Sequence, residues 1–567
     1  MTDDLTRTIP RSVWHGWGDP AERHTLPSHA WTFLEREIGA RPLATPDLPV
    51  ALEDVVLPEP ALPGAARAAL EAVVGAAQVR DDRATRVEHA GGKSLLDLVR
   101  IRRGDGSHAP DAVIFPGSPE EVQQVVQVCS EHEVALVPFG GGTSVVGGVS
   151  ALRGRFEGVV TLDLRRLAAL TALDPVSRVA TFQAGLRGPE IEAALRPHGL
   201  TLGHYPQSHQ EATIGGYVAT RSAGQASTGY GRVDDLVLGA RLATPAGELR
   251  LDAHAPASAA GPRLLDLVVG SEGALGVITE ATVRVTAYPN ATARGNWAFP
   301  SLAAAGAALR ELAQRHGDDT LPDVCRISDP SETRVSLTLA GGIGGRLLAY
   351  LRRRGLADPA LGIFLWEGDS RIRVEQRRLG FGSVLRRHGA VRLPAAVAGA
   401  WQRGRFSGPY LRDELLDHRV LAETLETATT WDRLVPTYER VRGALLAEFA
   451  AQGTPAVVQC HISHVYAVGA SLYFTCVARA LPDPAAQWLR VKSAASDAIV
   501  TAGATITHHH AVGTDHLPWL TAEVGALGLD VLRSVKATLD PVGVLNPGKL
   551  VPLQEDSQRL VRTLTGS

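Results

Sequence analysis

The alternation of apolar and polar positions changes character twice along this chain. Residues 1 to about 105 mix proline-rich stretches with helical patterns such as ALPGAARAALEAVVGA and read as a helical N-terminal extension. From Asp111 the texture shifts. AVIFP predicts a short strand, and SPEEVQQVVQVCSEHEV predicts a helix with Ser118 as N-cap, acids in its first turn, and Val122, Val125, Val126 and Cys129 on one face. VALVPF predicts a second strand that runs into GGGTSVVGG, so the unit reads as βαβ ending on a phosphate-sized loop. Strand-like segments continue through VVTLDL, VATFQAG and LVLGARLATPAGEL to VRVTA near residue 286. After Pro289 helices and strands alternate to about residue 505, and the tail ends on a helix followed by the turn-rich LDPVGVLNPGKL. The predicted divisions are therefore 1–105, 106–289, 290–505 and 506–567.

Composition narrows the class. With 567 residues, 45% of them hydrophobic, the chain can build several domains with large cores. A net charge of −3 leaves no basic field of the kind nucleic acid selects, so no nucleic-acid partner is expected. The four cysteines are widely spaced with no CxxC pair, which fits buried thiols in a reduced compartment rather than a disulfide frame or a zinc site. The opening MTDDLTRTIPRSVWHGWGDP has no apolar run like a secretory leader. No stretch approaches the ~18–20 uninterrupted apolar residues of a membrane span. A cytoplasmic protein, at most peripheral to a membrane, is expected. Lysine occurs only at positions 93, 492, 536 and 549 beside abundant arginine and alanine, a bias of GC-rich bacterial genomes. Between about 340 and 405, Arg352, Arg353, Arg354, Arg377, Arg378, Arg386 and Arg387 accompany leucine and phenylalanine, which suits either an anionic lipid surface or a solvated helical face.

The candidate chemistry begins at Pro138–Phe139–Gly140–Gly141–Gly142–Thr143–Ser144. Successive glycines let backbone N–H groups turn toward an anion, and Thr143 and Ser144 add hydroxyl donors. The loop is neither a Walker sequence nor a GxGxxG fingerprint. Similar small-residue loops follow at Gln207–Ser208 through Thr213 and Gly216, at Thr220–Arg221–Ser222–Ala223, and at Glu272–Gly273–Ala274–Leu275–Gly276–Val277–Ile278. In this order, PFGGGTSVVGG, TIGGYVATRSAGQAS, YGRVDDLVLGARLATPAGE and GSEGALGVITE resemble the FAD-binding domain of the vanillyl-alcohol-oxidase and para-cresol-methylhydroxylase superfamily. The resemblance implies an α+β fold: a two-subdomain FAD-binding domain over 106–289, a cap with an antiparallel sheet over 290–505, and a tail returning to the flavin site. It also implies that these loops hold FAD. The first loop lacks the histidine of many covalent flavoproteins, so FAD is expected to bind non-covalently.

The cap carries Cys325–Arg326–Ile327–Ser328, Tyr410–Leu411–Arg412–Asp413, SHVYAVGASLYF and Thr507–His508–His509–His510. With WHGWGDP at the start, this set resembles the alkyldihydroxyacetonephosphate synthase family. That resemblance implies a transferase of ether lipid synthesis, which exchanges the acyl group of acyl-dihydroxyacetone phosphate for a long-chain alcohol through an adduct at the flavin N5. It implies Tyr473 as acid and base, catalytic roles for His204, His508, His509 and His510, and substrate contacts for Arg412 and Arg326. It also suggests a homodimer. No metal is expected, since adjacent residues of a strand point to opposite sides and three consecutive histidines would not share an ion. Tyr466 is a rival to Tyr473 but falls outside the SLYF match. The alternative is an FAD-linked oxidoreductase of 2-hydroxy acids or alcohols. Against it, His464 is followed by VYAVGASLYF and not by the GDGN and second histidine of metal-assisted hydroxy-acid dehydrogenases. A departure from the family is Gln207–Ser208–His209–Gln210–Glu211–Ala212, where an Asp-Ser pair is usual.

Overall fold

The computed structural model describes residues 5–315, 319–394 and 396–552. A first sheet joins β1 (Val79–Arg80), β2 (Ala112–Ile114), β3 (Ala135–Phe139) and β4 (Val159–Asp163) in the order β1-β2-β4-β3. Strands β2, β4 and β3 run parallel, with β1 antiparallel at the edge. The helix Pro119–Glu131 connects β2 to β3, and the Ser118 hydroxyl accepts the Glu121 N–H at 3.2 Å as its cap. The expected βαβ unit is thus present, but its strands are not neighbours. Strand β4, buried along its length, inserts between them. The N-terminal extension is not a separate body either. Helix Gly64–Val74 buries Ala66 and Leu70 in the same core as Val122 and Val125, and β1 completes the sheet.

A second sheet holds β5 (Leu170–Asp174), β6 (Val179–Gln183), β8 (Val237–Thr244), β9 (Gly247–Leu251) and β10 (Val277–Arg284), all antiparallel, in the order β5-β6-β10-β8-β9. A short ladder pairs β7 (Leu200–Thr201) with β11 (Thr286–Ala287). The cap is a seven-stranded antiparallel sheet of β12 (Ala291–Phe299), β13 (Val324–Ser328), β14 (Ala360–Gly368), β15 (Val391–Leu393), β16 (Val420–Thr430), β17 (Ala456–Ile462) and β18 (Gly469–Arg479). Its order is β15-β12-β14-β13-β17-β18-β16.

Period-two alternation gives the centre of this cap sheet two unlike faces. Leu425, Cys460, Ile462, Leu472, Phe474 and Cys476 point to one side and pack against helices Leu434–Ala451 and Pro484–Thr501, which contribute Val441, Leu445, Phe449, Trp488 and Val491. The other side carries Arg326, His461, Tyr473 and Glu426.

The tail then returns to the first sheet. The Leu136 N–H donates to the Val544 carbonyl and the Asn546 N–H to the Leu136 carbonyl, both at 2.8 Å, so the tail lies beside β3. Asp540 sets the turn by accepting the N–H groups of Gly543, Val544 and Leu545 at 2.9, 3.0 and 2.8 Å. Residues 553–567 of the predicted C-terminal segment lie outside the described residues.

The arginines of 340–405 do not form one set. Arg377 bonds Asp323 at 3.1 Å, Arg378 bonds Glu375 at 2.8 Å and Arg387 pairs with Glu311, so these serve the fold. Arg352, Arg353 and Arg354 lie exposed at the end of helix Gly342–Arg353.

Candidate active site

The glycine loops meet in a cavity between the two small sheets. Its wall includes Pro138, Phe139, Gly140 and Ser144 from the first loop, Thr213, Gly216 and Thr220 from the second, and Glu272, Gly273, Gly276 and Ile278 from the third. The packing dictates glycine here. A Cβ on Gly141 would stand 2.1 Å from the Glu211 carbonyl oxygen, and Gly142 has φ +68°. Gly141, Gly142, Thr143, Ser208, Ser222, Ala223, Ala274, Leu275 and Val277 are not part of its wall. Gln207 and Arg221 are exposed, and Arg221 is paired with Asp234 at 3.0 Å. Glu272 has a second task, since its two oxygens accept the N–H groups of Val512 and Gly513 at 2.8 and 2.7 Å. Burial pushes its carboxyl up to about 7 despite those amides and Lys549. Glycine turns, hydroxyl donors and an apolar floor of Leu164, Val149 and Ile278 fit a dinucleotide carrying a flat ring.

On the cap, strand register assembles a row. His461 stands opposite Tyr473, and Tyr473 opposite Glu426. The Tyr473 ring is stacked between His461 (centroids 4.9 Å, 22° between planes) and His509 (5.9 Å, 17°), with His510 edge-on at 5.5 Å. Burial, with Glu423 and Glu426 nearby, pushes its phenol up to about 12, against the Thr424 hydroxyl and Arg326. His461 is fixed in turn. Its Nδ1 lies 3.0 Å from Glu332 Oε2 and its Nε2 3.1 Å from Arg326 Nη1. Because a guanidinium only donates, His461 accepts at Nε2 and carries its proton on Nδ1. Arg326 also donates to Glu332, so this predicted substrate arginine is paired within the protein while lying close to Tyr473.

The histidine triplet lies in an irregular loop and not on a strand, so the premise that its rings must diverge does not hold. Glu426, buried beneath it, accepts the N–H groups of His508, His509 and His510 at 2.7, 3.0 and 3.0 Å and the Thr507 hydroxyl at 2.7 Å. Burial opposes this carboxylate, yet His509, His510, His508 and the His509 amide hold it well below the usual range. Ring nitrogens of His464, His508 and His509 come within 4.8 Å of one another. Two of them belong to a hydrogen-bonded chain: His508 spends Nε2 on the Tyr466 hydroxyl at 2.6 Å and Nδ1 on His509 Nδ1 at 2.9 Å, while the His464 ring lies beside that chain. Burial pushes all three triplet rings down, His510 to about 3, so they are neutral near pH 7. Ala511, the next residue, is part of the cavity wall, which sets the triplet at its edge. His204 is buried, lies 3.1 Å from the Ser222 hydroxyl through Nε2, and is also pushed down to about 3 by burial.

With the histidines neutral, positive charge comes from elsewhere. Arg412 donates to the Lys93 carbonyl at 2.6 Å, while its buried Nε and Nη2 have no hydrogen-bond partner. Lys93 sits beside it, pushed down to about 8 by burial. Glu426, His461, Glu332 and Lys93 escaped the sequence reading. The alternation Ser471, Tyr473, Thr475 against Leu472, Phe474, Cys476 marks a polar face, but which residues oppose Tyr473 depends on strand pairing.

The cofactor domain and cap agree with two family models. One, an FAD binding domain, matches residues 110–251; the other, the C-terminal domain of FAD linked oxidases, matches residues 288–550. The chain is 32% identical to an alkyldihydroxyacetonephosphate synthase of Dictyostelium discoideum, over 96% of this chain and 94% of that protein. The chain belongs to the alkyldihydroxyacetonephosphate synthase family. The family member of Trypanosoma brucei brucei is 30% identical, over 97% and 94% of the two chains. A solved alkyldihydroxyacetonephosphate synthase superposes with a TM-score of 0.82 at 30% identity, covering 96% of this chain and 99% of that one. A p-cresol methylhydroxylase structure, at 15% identity and a TM-score of 0.64 over 86% and 96% of the chains, shares the fold alone.

Proposed function

We propose that this protein is an FAD-dependent transferase of ether lipid synthesis, which exchanges the acyl group of acyl-dihydroxyacetone phosphate for a long-chain alcohol. The observation that carries this reading is the family match extending through the cap, where Tyr473 is stacked between His461 and His509 at the cavity's edge. FAD, when bound, supplies a ring that holds the dihydroxyacetone portion while one chain leaves and another enters, with no net oxidation. The protein's own groups do the rest. Tyr473 moves a proton at the carbon beside the carbonyl, and its elevated pKa keeps the phenol protonated near neutral pH with that proton to give. Arg412, with two unsatisfied donors, and Lys93 bind the phosphate.

FAD is held non-covalently in this reading, because the cavity wall includes no histidine, cysteine or tyrosine among the described residues. A peripheral membrane contact is also proposed. Helix Gly342–Arg353 exposes Ile343 (77%) and Tyr350 (43%) beside Arg346, Arg352 and Arg353. A homodimer is proposed through helix Leu520–Leu539, which exposes Leu527 and Val531.

The test is exchange. Purified yellow protein, whose flavin is released on denaturation, should convert acyl-dihydroxyacetone phosphate and hexadecanol into the alkyl product and free fatty acid without an electron acceptor. Acceptor reduction by a 2-hydroxy acid with no ether formed would move the protein to the oxidoreductases.

A further inference from the structure

An ester and an alcohol enter the proposed exchange; an ether and a fatty acid leave. At neutral pH the acid is a carboxylate, so each turnover also delivers one proton that must reach water. The groups around Tyr473 are poorly placed to shed it directly. Tyr473 is half-buried, packed against the rings of His461, His509 and His510, and Glu426 beneath it is spent on backbone N–H groups. The histidine loop, however, continues outward through hydrogen bonds. His509 Nδ1 lies 2.9 Å from His508 Nδ1, and His508 Nε2 lies 2.6 Å from the Tyr466 hydroxyl. Tyr466 is half-buried, next to the exposed Ala467 and Val468, and its hydroxyl also meets Arg232.

We propose that His509, His508 and Tyr466 form the route by which the proton of each turnover leaves the buried site, with Tyr466 as its outer gate. This rests on the transferase reading above. His509 takes up the proton of the leaving acid at its free Nε2 and passes its Nδ1 proton to His508 Nδ1. His508 then gives its Nε2 proton to the Tyr466 oxygen, and the Tyr466 hydroxyl gives its own proton to water beside Arg232. No charge remains behind, and a turn of the His508 ring restores the starting tautomer. The imidazoles suit transit rather than storage. Burial, and for His508 the neighbouring His509 and Arg232, push both rings down, so neither retains a proton. Glu426 faces the chain from below, 3.6 Å from His509 Nδ1, and stabilises the charge in passage. His464, its ring 4.9 Å from that of His508, supplies a buried wall. Tyr466 acts through His508 and touches no reacting atom.

The experiment compares wild-type and Tyr466→Phe holoenzymes by product formation at low and rising concentrations of imidazole buffer. Removing the hydroxyl breaks the outer bond of the chain without removing the ring. The variant should bind FAD normally and exchange at least about tenfold more slowly in dilute buffer, and imidazole should restore much of the rate while leaving wild type unchanged. A purely structural role would not respond to buffer. Should Tyr466→Phe fail to load FAD, Tyr466→Gln keeps a hydrogen bond to His508 but cannot pass a proton, and the same slow, buffer-rescued rate is expected. Exchange at the wild-type rate in either variant, or a slow rate that imidazole does not raise, overturns the relay and leaves the transferase reading intact. A wild-type enzyme that forms no ether product overturns both.

Discussion

Tyr473 is oriented by two stacked imidazoles, with the Thr424 hydroxyl as a further contact, and burial keeps its phenol protonated. Tyr473→Phe should therefore keep the stack with His461 and His509, retain FAD, and lose exchange by about a hundredfold or more, as measured by alkyl product. Glu426 is a contrasting case, a residue that holds the histidine loop in place and lends it negative charge. Glu426→Ala would strip the acceptor from three backbone N–H groups and the Thr507 hydroxyl, and each buried donor left unmet costs about 1–3 kcal/mol. Urea melts should show a loss of several kcal/mol at most, since the loop can rearrange, together with near-complete loss of exchange. Glu426→Gln, which keeps one carbonyl acceptor, should fall between the variant and wild type. Tyr473 and the triplet were legible in the sequence because the contiguous SLYF and HHH match motifs of the family they resemble. Glu426 was not, because a glutamate within VLAETLETATT gains its meaning only from what lies above it.

At the scale of elements, hydrophobic periodicity located the strands and helices well. The helix Pro119–Glu131 begins at the cap that Ser118 announces, and β3 ends where the glycine loop starts. What periodicity could not show is lateral order. Strand β4 enters between β2 and β3 through contacts distant in sequence, and the tail joins the same sheet from beyond residue 540. The arginine-rich stretch divides likewise: helix Arg371–Arg387 uses its arginines to tie down neighbouring segments, whereas helix Gly342–Arg353 leaves its apolar and basic groups in solvent. If the latter helix rests on lipid, Ile343→Asp together with Tyr350→Asp should sharply reduce co-sedimentation with anionic vesicles, while exchange of a detergent-solubilised substrate is kept. Unchanged sedimentation would remove this helix from any membrane contact. No described helix is long and apolar enough to cross a membrane.

The whole molecule encloses an unusual number of neutral imidazoles, and this has a global consequence. Burial pushes His204, His510 and His516 down to about 3 and His108 and His209 down to about 4. Unfolding returns each ring to an ordinary pKa near 6.5, so the unfolded chain binds more protons in the interval between. The contribution to stability is full above about pH 6.5 and is lost as pH falls toward the folded values. Five such groups give a slope of up to about 7 kcal/mol per pH unit, so thermal melts should drop steeply between about pH 6 and 4. A melting temperature unchanged across that window would contradict the buried, neutral state of these rings.

By itself the sequence determined the cofactor class, the family and the positions of the catalytic candidates, because glycine loops, strand alternation and short motifs are local in the chain. Only the tertiary structure decided what each candidate does. It paired Arg326 with Glu332, suspended the histidine triplet over Glu426, and linked His508 to Tyr466, forty-two residues away in the chain. The physical reason is that hydrogen bonds and charge compensation act over a few ångströms of space, and the residues within that reach are chosen by strand register and loop path.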